Sequence, residues 1–297
     1  MIIPRLVLGT ARIAGGASAR ESVDLVKSAF DSGICAVDTA PSYGIGTAED
    51  VVGSALVGYP GVEVATKVGS HRPDHAMLRS FARKIKRLIT GANEPAGSLP
   101  PEQLKQPSGN DFSARFMAQS LEISQEKLGR IDLLLLHDIT ADEVTAQVLA
   151  DLARLGGQWV TGYASLACWN SALDQCFTAG RVAQCAPDPQ WLLGTGEIPA
   201  ERPLRLHSLV KTGLALAEQN TSFANGLERA AGMIEGDPLT ARIAALYALA
   251  AVRIPTARLL FTSSHRARLS GLIKALQKID DSHSAPRLAA LFTAQAG

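Results

Sequence analysis

The chain has 297 residues, and its 29 Lys+Arg against 28 Asp+Glu leave a formal net charge of +1. With 46% hydrophobic and 19% charged residues it is not a disordered chain, and it is not a nucleic-acid binder that works through overall charge. Its length accommodates one large domain or two small ones.

From the N-terminus, Met1–Gly9 has no basic segment followed by a long apolar one, so it does not read as a signal peptide; a cytoplasmic location is expected. Candidate strands follow at Arg5–Leu8, Ile34–Val37, Glu63–Thr66, Ile131–Leu136, Trp159–Gly162, Val182–Cys185, Leu204–Ser208 and Arg258–Phe261. Amphipathic stretches at Ala19–Asp31, Ala48–Val57, Ala114–Leu128, Asp142–Leu155 and Trp169–Ala179 alternate with them. In the first, Val23, Val26, Ala29 and Phe30 recur at helical spacing and Gly33 marks the stop. The unbroken run Leu133–Leu136 suits a strand covered on both faces.

Thr90–Asp111, rich in Gly, Pro and polar residues, follows a helical stretch at Pro73–Leu88 and reads as a flexible loop, either a lid or a disordered insertion. The longest apolar run, Ile243–Val252, falls well short of the about 20 residues that cross a bilayer, so no membrane association is expected. Cys35, Cys168, Cys176 and Cys185 form no CxxC pair and read as free thiols. Alternating strands and helices predict a parallel sheet, and eight strands without a linker predict one closed (β/α)8 barrel over residues 1–297.

In such a barrel the strand C-termini carry the chemistry. Asp38 ends the second candidate strand, Tyr43 follows in its loop, Lys67 ends the third and His137, with Asp138 next to it, closes the fourth. A buried Asp and Lys would pair. The ammonium would lower the pKa of a nearby Tyr hydroxyl from ~10. Such a Tyr can protonate a developing alkoxide while the imidazole orients the carbonyl oxygen, which describes a carbonyl-reduction site.

These segments resemble the aldo-keto reductase family. The resemblance rests on Asp38–Gly44 (DTAPSYG), Thr66–Gly69 (TKVG) and Leu133–Asp138 (LLLLHD), and extends through Leu6–Gly16, Ala48–Leu56 and Thr262–Leu269. It is greatest with a bacterial branch. It implies a nicotinamide cofactor, NADP(H) with NAD(H) as the alternative, lying across the barrel top. Tyr43 would be the proton donor, Asp38 and Lys67 its tuning pair, and His137 the carbonyl-orienting group. The resemblance further implies cofactor contacts from Gly9, Thr10, Ala11, Ser165, Gln184, His207, Ser263, Ser264 and Arg268, the last with Arg266 nearby for a 2′-phosphate. Two positions depart from the family pattern: Ala164 replaces a polar carboxamide ligand, and Thr262 replaces a lysine. For Trp159, Trp169 and Trp191 burial in the barrel shell is the default expectation, with Trp191 the first candidate of the three for a place in the pocket.

The reading that follows is an NADP(H)-dependent reductase of an aldehyde, ketone or sugar carbonyl, a monomer or homodimer with a small-molecule substrate. The alternative is a catalytically weak nucleotide-binding barrel with a regulatory or scaffold role. A metal-dependent hydrolase built on Asp38 and His137 would need further ligands, and His207 alone does not complete such a site. No metal is expected.

Overall fold

Eight apolar runs pair side by side in chain order and the last returns to the first. In the computed structural model, which describes residues 1–13, 19–73 and 109–292, they are β1 (Leu6–Gly9), β2 (Ala36–Asp38), β3 (Glu63–Val68), β4 (Leu133–His137), β5 (Val160–Cys168), β6 (Val182–Ala186), β7 (Leu204–Leu206) and β8 (Arg258–Phe261). All neighbours are parallel, and β8 closes on β1 with Leu6 opposite Leu259. The expected (β/α)8 barrel is therefore the observed fold.

The described helices are α1 (Ala19–Asp31), α2 (Ala48–Leu56), α3 (Ala114–Leu128), α4 (Ala146–Gly156), α5 (Ser171–Gln175), α6 (Pro189–Leu193), α7 (Leu209–Gln219), α8 (Thr221–Ala231), α9 (Pro238–Arg253), α10 (Arg266–Asp281) and α11 (Ala285–Ala290). Local chemistry sets their starts. Thr145 caps α4 by accepting from the Val148 N–H at 3.2 Å, which shortens the predicted 142–155 helix. Asn170 likewise caps α5, which is a single short helix within the predicted 169–179 stretch. β5 runs on to Cys168, beyond the predicted end at Gly162, with a bulge between Ala164 and Cys168 in its pairing to β6.

Strand alternation divides the core in two. Leu134 and Leu136 face the helices with Leu6, Leu8, Val37 and Val64, whereas Leu133 and Leu135 point inward with Ala65, Ala164 and Val182. Val7, Ala36 and Leu260 form a second small interior cluster. The unbroken leucine run is thus covered on both sides, as its composition predicts.

The helix expected over 73–88 and nearly all of the loop expected over 90–111 lie outside the described residues. The described flanks both stand at the C-terminal end of β3, where the Asp111 N–H donates to the Gly69 carbonyl at 2.8 Å. No helix among the described residues is long and apolar enough to cross a membrane. All four cysteines are free.

Candidate active site

Parallel pairing with a constant stagger lifts successive strand ends around the ring. Asp38 lies level with Ala65, and Lys67 stands one inward position further along β3. Leu135 is level with Lys67, and His137 is one inward position beyond it on β4. Three ionisable side chains therefore climb one wall of the barrel mouth. After β2 the chain turns through a tight helical turn at Tyr43–Gly46, in which Gly44 and Ile45 adopt positive φ of 56° and 58°; Tyr43 is thereby set over the strand ends.

Lys67 is fully buried. Its Nζ donates to both Asp38 carboxylate oxygens at 2.8 and 2.9 Å and to the Thr39 carbonyl at 2.9 Å. The same nitrogen lies 4.5 Å from the centre of the Tyr43 ring. The His137 ring stands edge-on to that ring, with centroids 5.5 Å apart. A buried ion pair of this kind is weak support for stability, so its arrangement calls for another role.

Burial is the largest influence on the Lys67 ammonium and opposes the charge, yet Asp38 and Tyr43 outweigh it and raise the pKa. For Tyr43 the outcome differs from the sequence expectation. Burial, the dominant influence, raises the hydroxyl pKa above its ordinary value, and the Lys67 cation counteracts this without reversing it. Desolvation of a phenolate in the barrel mouth costs more than one already neutralised ammonium returns. Burial, reinforced by the positive Lys67, holds His137 down at about 3. The imidazole is neutral at any physiological pH.

Ser70, just beyond β3, fixes that imidazole. Its hydroxyl lies 2.6 Å from His137 Nδ1, while the Asp138 carboxylate lies 3.7 Å from Nε2. An anion beside Nε2 favours the tautomer with its proton there, leaving Nδ1 to accept from Ser70. Ser70 was not singled out from the sequence; a hydroxyl three residues past Lys67 at a strand end was the available signal.

A cavity of about 380 Å³ opens above these groups, and Gly9, Ala11, Asp38, Tyr43, His137, Ala164, Ser165, Gln184 and His207 all contribute to its wall. Thr10 does not reach it; buried, it ties the first loop to β2 through its hydroxyl and N–H, both donating to the Asp38 carbonyl at 3.0 Å. Gln184 is buried, and its Oε1 has no hydrogen-bond partner among the described residues. His207 is held between Ser208 Oγ at 2.9 Å and the Ser165 carbonyl at 2.7 Å. Gly9 allows close approach, since a Cβ there would lie 2.6 Å from Thr262 Oγ1.

A second cavity of about 630 Å³ adjoins the first through Arg12, Val210, Tyr247, Phe261 and Thr262, and Ser263, Ser264 and Arg268 line it. Arg266 does not. Trp191 also stands apart from both cavities: it is buried against Trp169, with its indole N–H donating to the Glu197 carbonyl at 2.8 Å. This is the burial expected by default for the tryptophans, and it removes Trp191 as a pocket candidate. No group of three or more His, Cys, Asp or Glu among the described residues is arranged to hold a metal ion.

The chain matches the family model described as "Aldo/keto reductase family" over residues 5–183, from β1 into β6. It is 32% identical over 157 residues to a pyridoxal 4-dehydrogenase of Microbacterium luteolum, covering 47% of this chain and 41% of that protein. It is 33% identical over 145 residues to a D-threo-aldose 1-dehydrogenase of a Pseudomonas species, covering 46% and 41%. The match thus spans about two fifths of either relative. A glycerol dehydrogenase structure from Gluconobacter oxydans superposes with a TM-score of 0.61 at 17% identity over 99% of this chain and 93% of that one, a likeness of fold. With more than half its length matched by the family model, the chain belongs to the aldo/keto reductase family.

Proposed function

We propose that the protein is an NADP(H)-dependent oxidoreductase that reduces an aldehyde, ketone or sugar carbonyl to the alcohol, with Tyr43 as proton donor. The observation that carries this reading is the Asp38–Lys67 pair held beneath the Tyr43 ring, beside a neutral His137, at the wall of an open cavity.

The residues fit a nicotinamide. The orphaned, buried Gln184 Oε1 is an acceptor that a carboxamide N–H would satisfy, and the backbone at Gly9 offers a wall without a side chain. Ser165 and His207 would complete that end, and Ser263, Ser264 and Arg268 would hold the phosphate-bearing end in the adjoining cavity. Arg268 is the basis for preferring NADP(H) over NAD(H). When bound, the cofactor supplies the hydride.

The chain's own residues do the rest. The His137 Nε2–H orients the carbonyl oxygen, and its low pKa keeps it a neutral donor. Tyr43 retains its proton at neutral pH because burial raises its pKa. A developing alkoxide is a far stronger base than phenolate, so it takes that proton downhill. Lys67, neutralised on its far side by Asp38, stabilises the phenolate left behind.

Ala164, at the cavity wall opposite His137 in the strand pairing, provides no hydrogen bond where the family pattern has a polar side chain, and this favours the second reading, a barrel that binds nucleotide and turns over weakly. Steady-state NADPH oxidation with a panel of aldehydes separates the two. Tyr43→Phe is expected to lower kcat/KM by about 10²–10⁴-fold, the usual contribution of general acid catalysis. A rate indifferent to that substitution would sink the enzymatic reading.

A further inference from the structure

The turn after β4 carries a carboxylate that the proton-transfer scheme does not use. Asp138 has φ of 51°, one of few residues other than glycine with positive φ among the described ones. Aspartate tolerates this conformation better than most residues, but it is adopted only where the surroundings hold it. Asn110 does the holding: its amide nitrogen donates to the His137 carbonyl at 2.8 Å and to the Asp138 carbonyl at 3.2 Å. The consequence is a side chain turned back over the strand end it follows. Asp138 Oδ2 comes within 3.7 Å of His137 Nε2, the imidazole nitrogen not engaged by Ser70, and Asp138 lines the cavity.

That carboxylate is partly buried, and no Lys or Arg among the described residues forms an ion pair with it. Its side chain is 31% exposed, and its ion-pair partner among the described residues is an imidazole that stays neutral. Burial raises its pKa, opposed by the Lys67 charge and the Leu166 N–H. A half-buried acceptor facing a binding cavity gains from a donor brought by the ligand. The donor's place is fixed by the neighbouring atom. If His137 Nε2 holds the carbonyl oxygen, a group on the adjacent carbon falls toward Asp138. Arg12 and Lys211 line the same cavity, so an ammonium would meet repulsion that an uncharged hydroxyl avoids.

We infer that Asp138 is a specificity-determining residue that selects α-hydroxy aldehydes and ketones by accepting a hydrogen bond from the hydroxyl next to the reacting carbonyl. This rests on the reductase reading above and refines its substrate class. It concerns binding and orientation, and no proton passes through Asp138.

The test compares glycolaldehyde with propanal, in which a methyl group replaces the hydroxyl, as substrates of the full chain with NADPH. The readout is the ratio of their kcat/KM values in wild type, Asp138→Asn and Asp138→Leu. Differences in intrinsic reactivity and hydration cancel between variants. A hydrogen bond to a charged acceptor predicts that the ratio falls about tenfold or more in Asp138→Leu. Asn keeps an acceptor oxygen and tolerates the positive φ, so Asp138→Asn is expected to show a smaller fall in a protein that folds normally. An unchanged ratio in both variants, including one in which both substrates slow equally, overturns the inference while leaving the reductase reading intact. Absence of turnover of either aldehyde by wild type would instead defeat the reductase reading, and this inference with it.

Discussion

Acidification from pH 7 to pH 5 protonates an ordinary histidine, whereas His137 is held near 3 by burial and by Lys67. Through the window between 3 and 6.5 the unfolded chain therefore binds more protons than the folded one at this position. Stability must rise with pH across that window and fall as pH drops through it. Each pH unit within the window is worth up to about 1.4 kcal/mol, and the loss between pH 7 and pH 5 integrates to about 2 kcal/mol. The perturbation that isolates this contribution is His137→Gln, which removes the titrating group and leaves every other one in place. Urea unfolding of both proteins at the two pH values gives four free energies, and their double difference is the quantity sought. Wild type should lose about 2 kcal/mol more than the variant on acidification. In parallel, the ring-proton NMR signal of His137 should stay unshifted between pH 7 and pH 5. Equal acid sensitivity of the two proteins, or a His137 signal titrating near 6.5, would refute the claim that the imidazole is neutral by desolvation.

Two further outcomes address the cofactor end. Gln184→Leu removes a buried oxygen that has no partner among the described residues, so the cofactor-free protein should be as stable as wild type or slightly more so, whereas nicotinamide cofactor binding should weaken by about tenfold, the effect of one lost hydrogen bond in a desolvated site. Thermal melts and fluorescence titration read these separately; unchanged affinity would remove Gln184 from the cofactor site. Arg268→Ala should weaken NADPH binding by about tenfold and leave NADH binding nearly unchanged, because only the former carries the additional phosphate. Equal effects on both cofactors would show that Arg268 does not read the 2′-phosphate.

Much of this architecture is legible in the sequence, for reasons that particular residues make plain. The spacing of Val26, Ala29 and Phe30 on α1 and the unbroken Leu133–Leu136 run on β4 each state which faces are covered, and the structure buries them so. Asp38, Lys67 and His137 are visible because a barrel makes strand ends special, and any charged group that follows an apolar run there is conspicuous. What the sequence withholds is depth. Proximity of Lys67 argues for a lowered Tyr43 pKa, but the opposing desolvation depends on how far the ring sits below the rim, which no spacing encodes. For Trp191 burial in the barrel shell is the default expectation and is what the structure has; its ring partner Trp169 is the part that spacing does not encode.

Arg205 shows where period-two reading misleads. Leu204-Arg205-Leu206-His207 alternates apolar and polar residues, the pattern of a strand with one face in water. In a closed barrel the polar side faces the interior instead. Arg205 is buried there, and its Nη1 crosses to Glu63 Oε1 at 2.6 Å, linking β7 to the strand four places away around the ring. The interior residues of β1, β2 and β3 include the small Val7, Ala36 and Ala65, which leave room for a long side chain inside the barrel. The guanidinium also acts electrostatically on Asp38 above it. The carboxylate that anchors Lys67 thus lies between two cations, one at the barrel mouth and one within the barrel. Alternation that reads as a wet surface is, in this fold, the means by which a charged column is carried into the centre of the molecule.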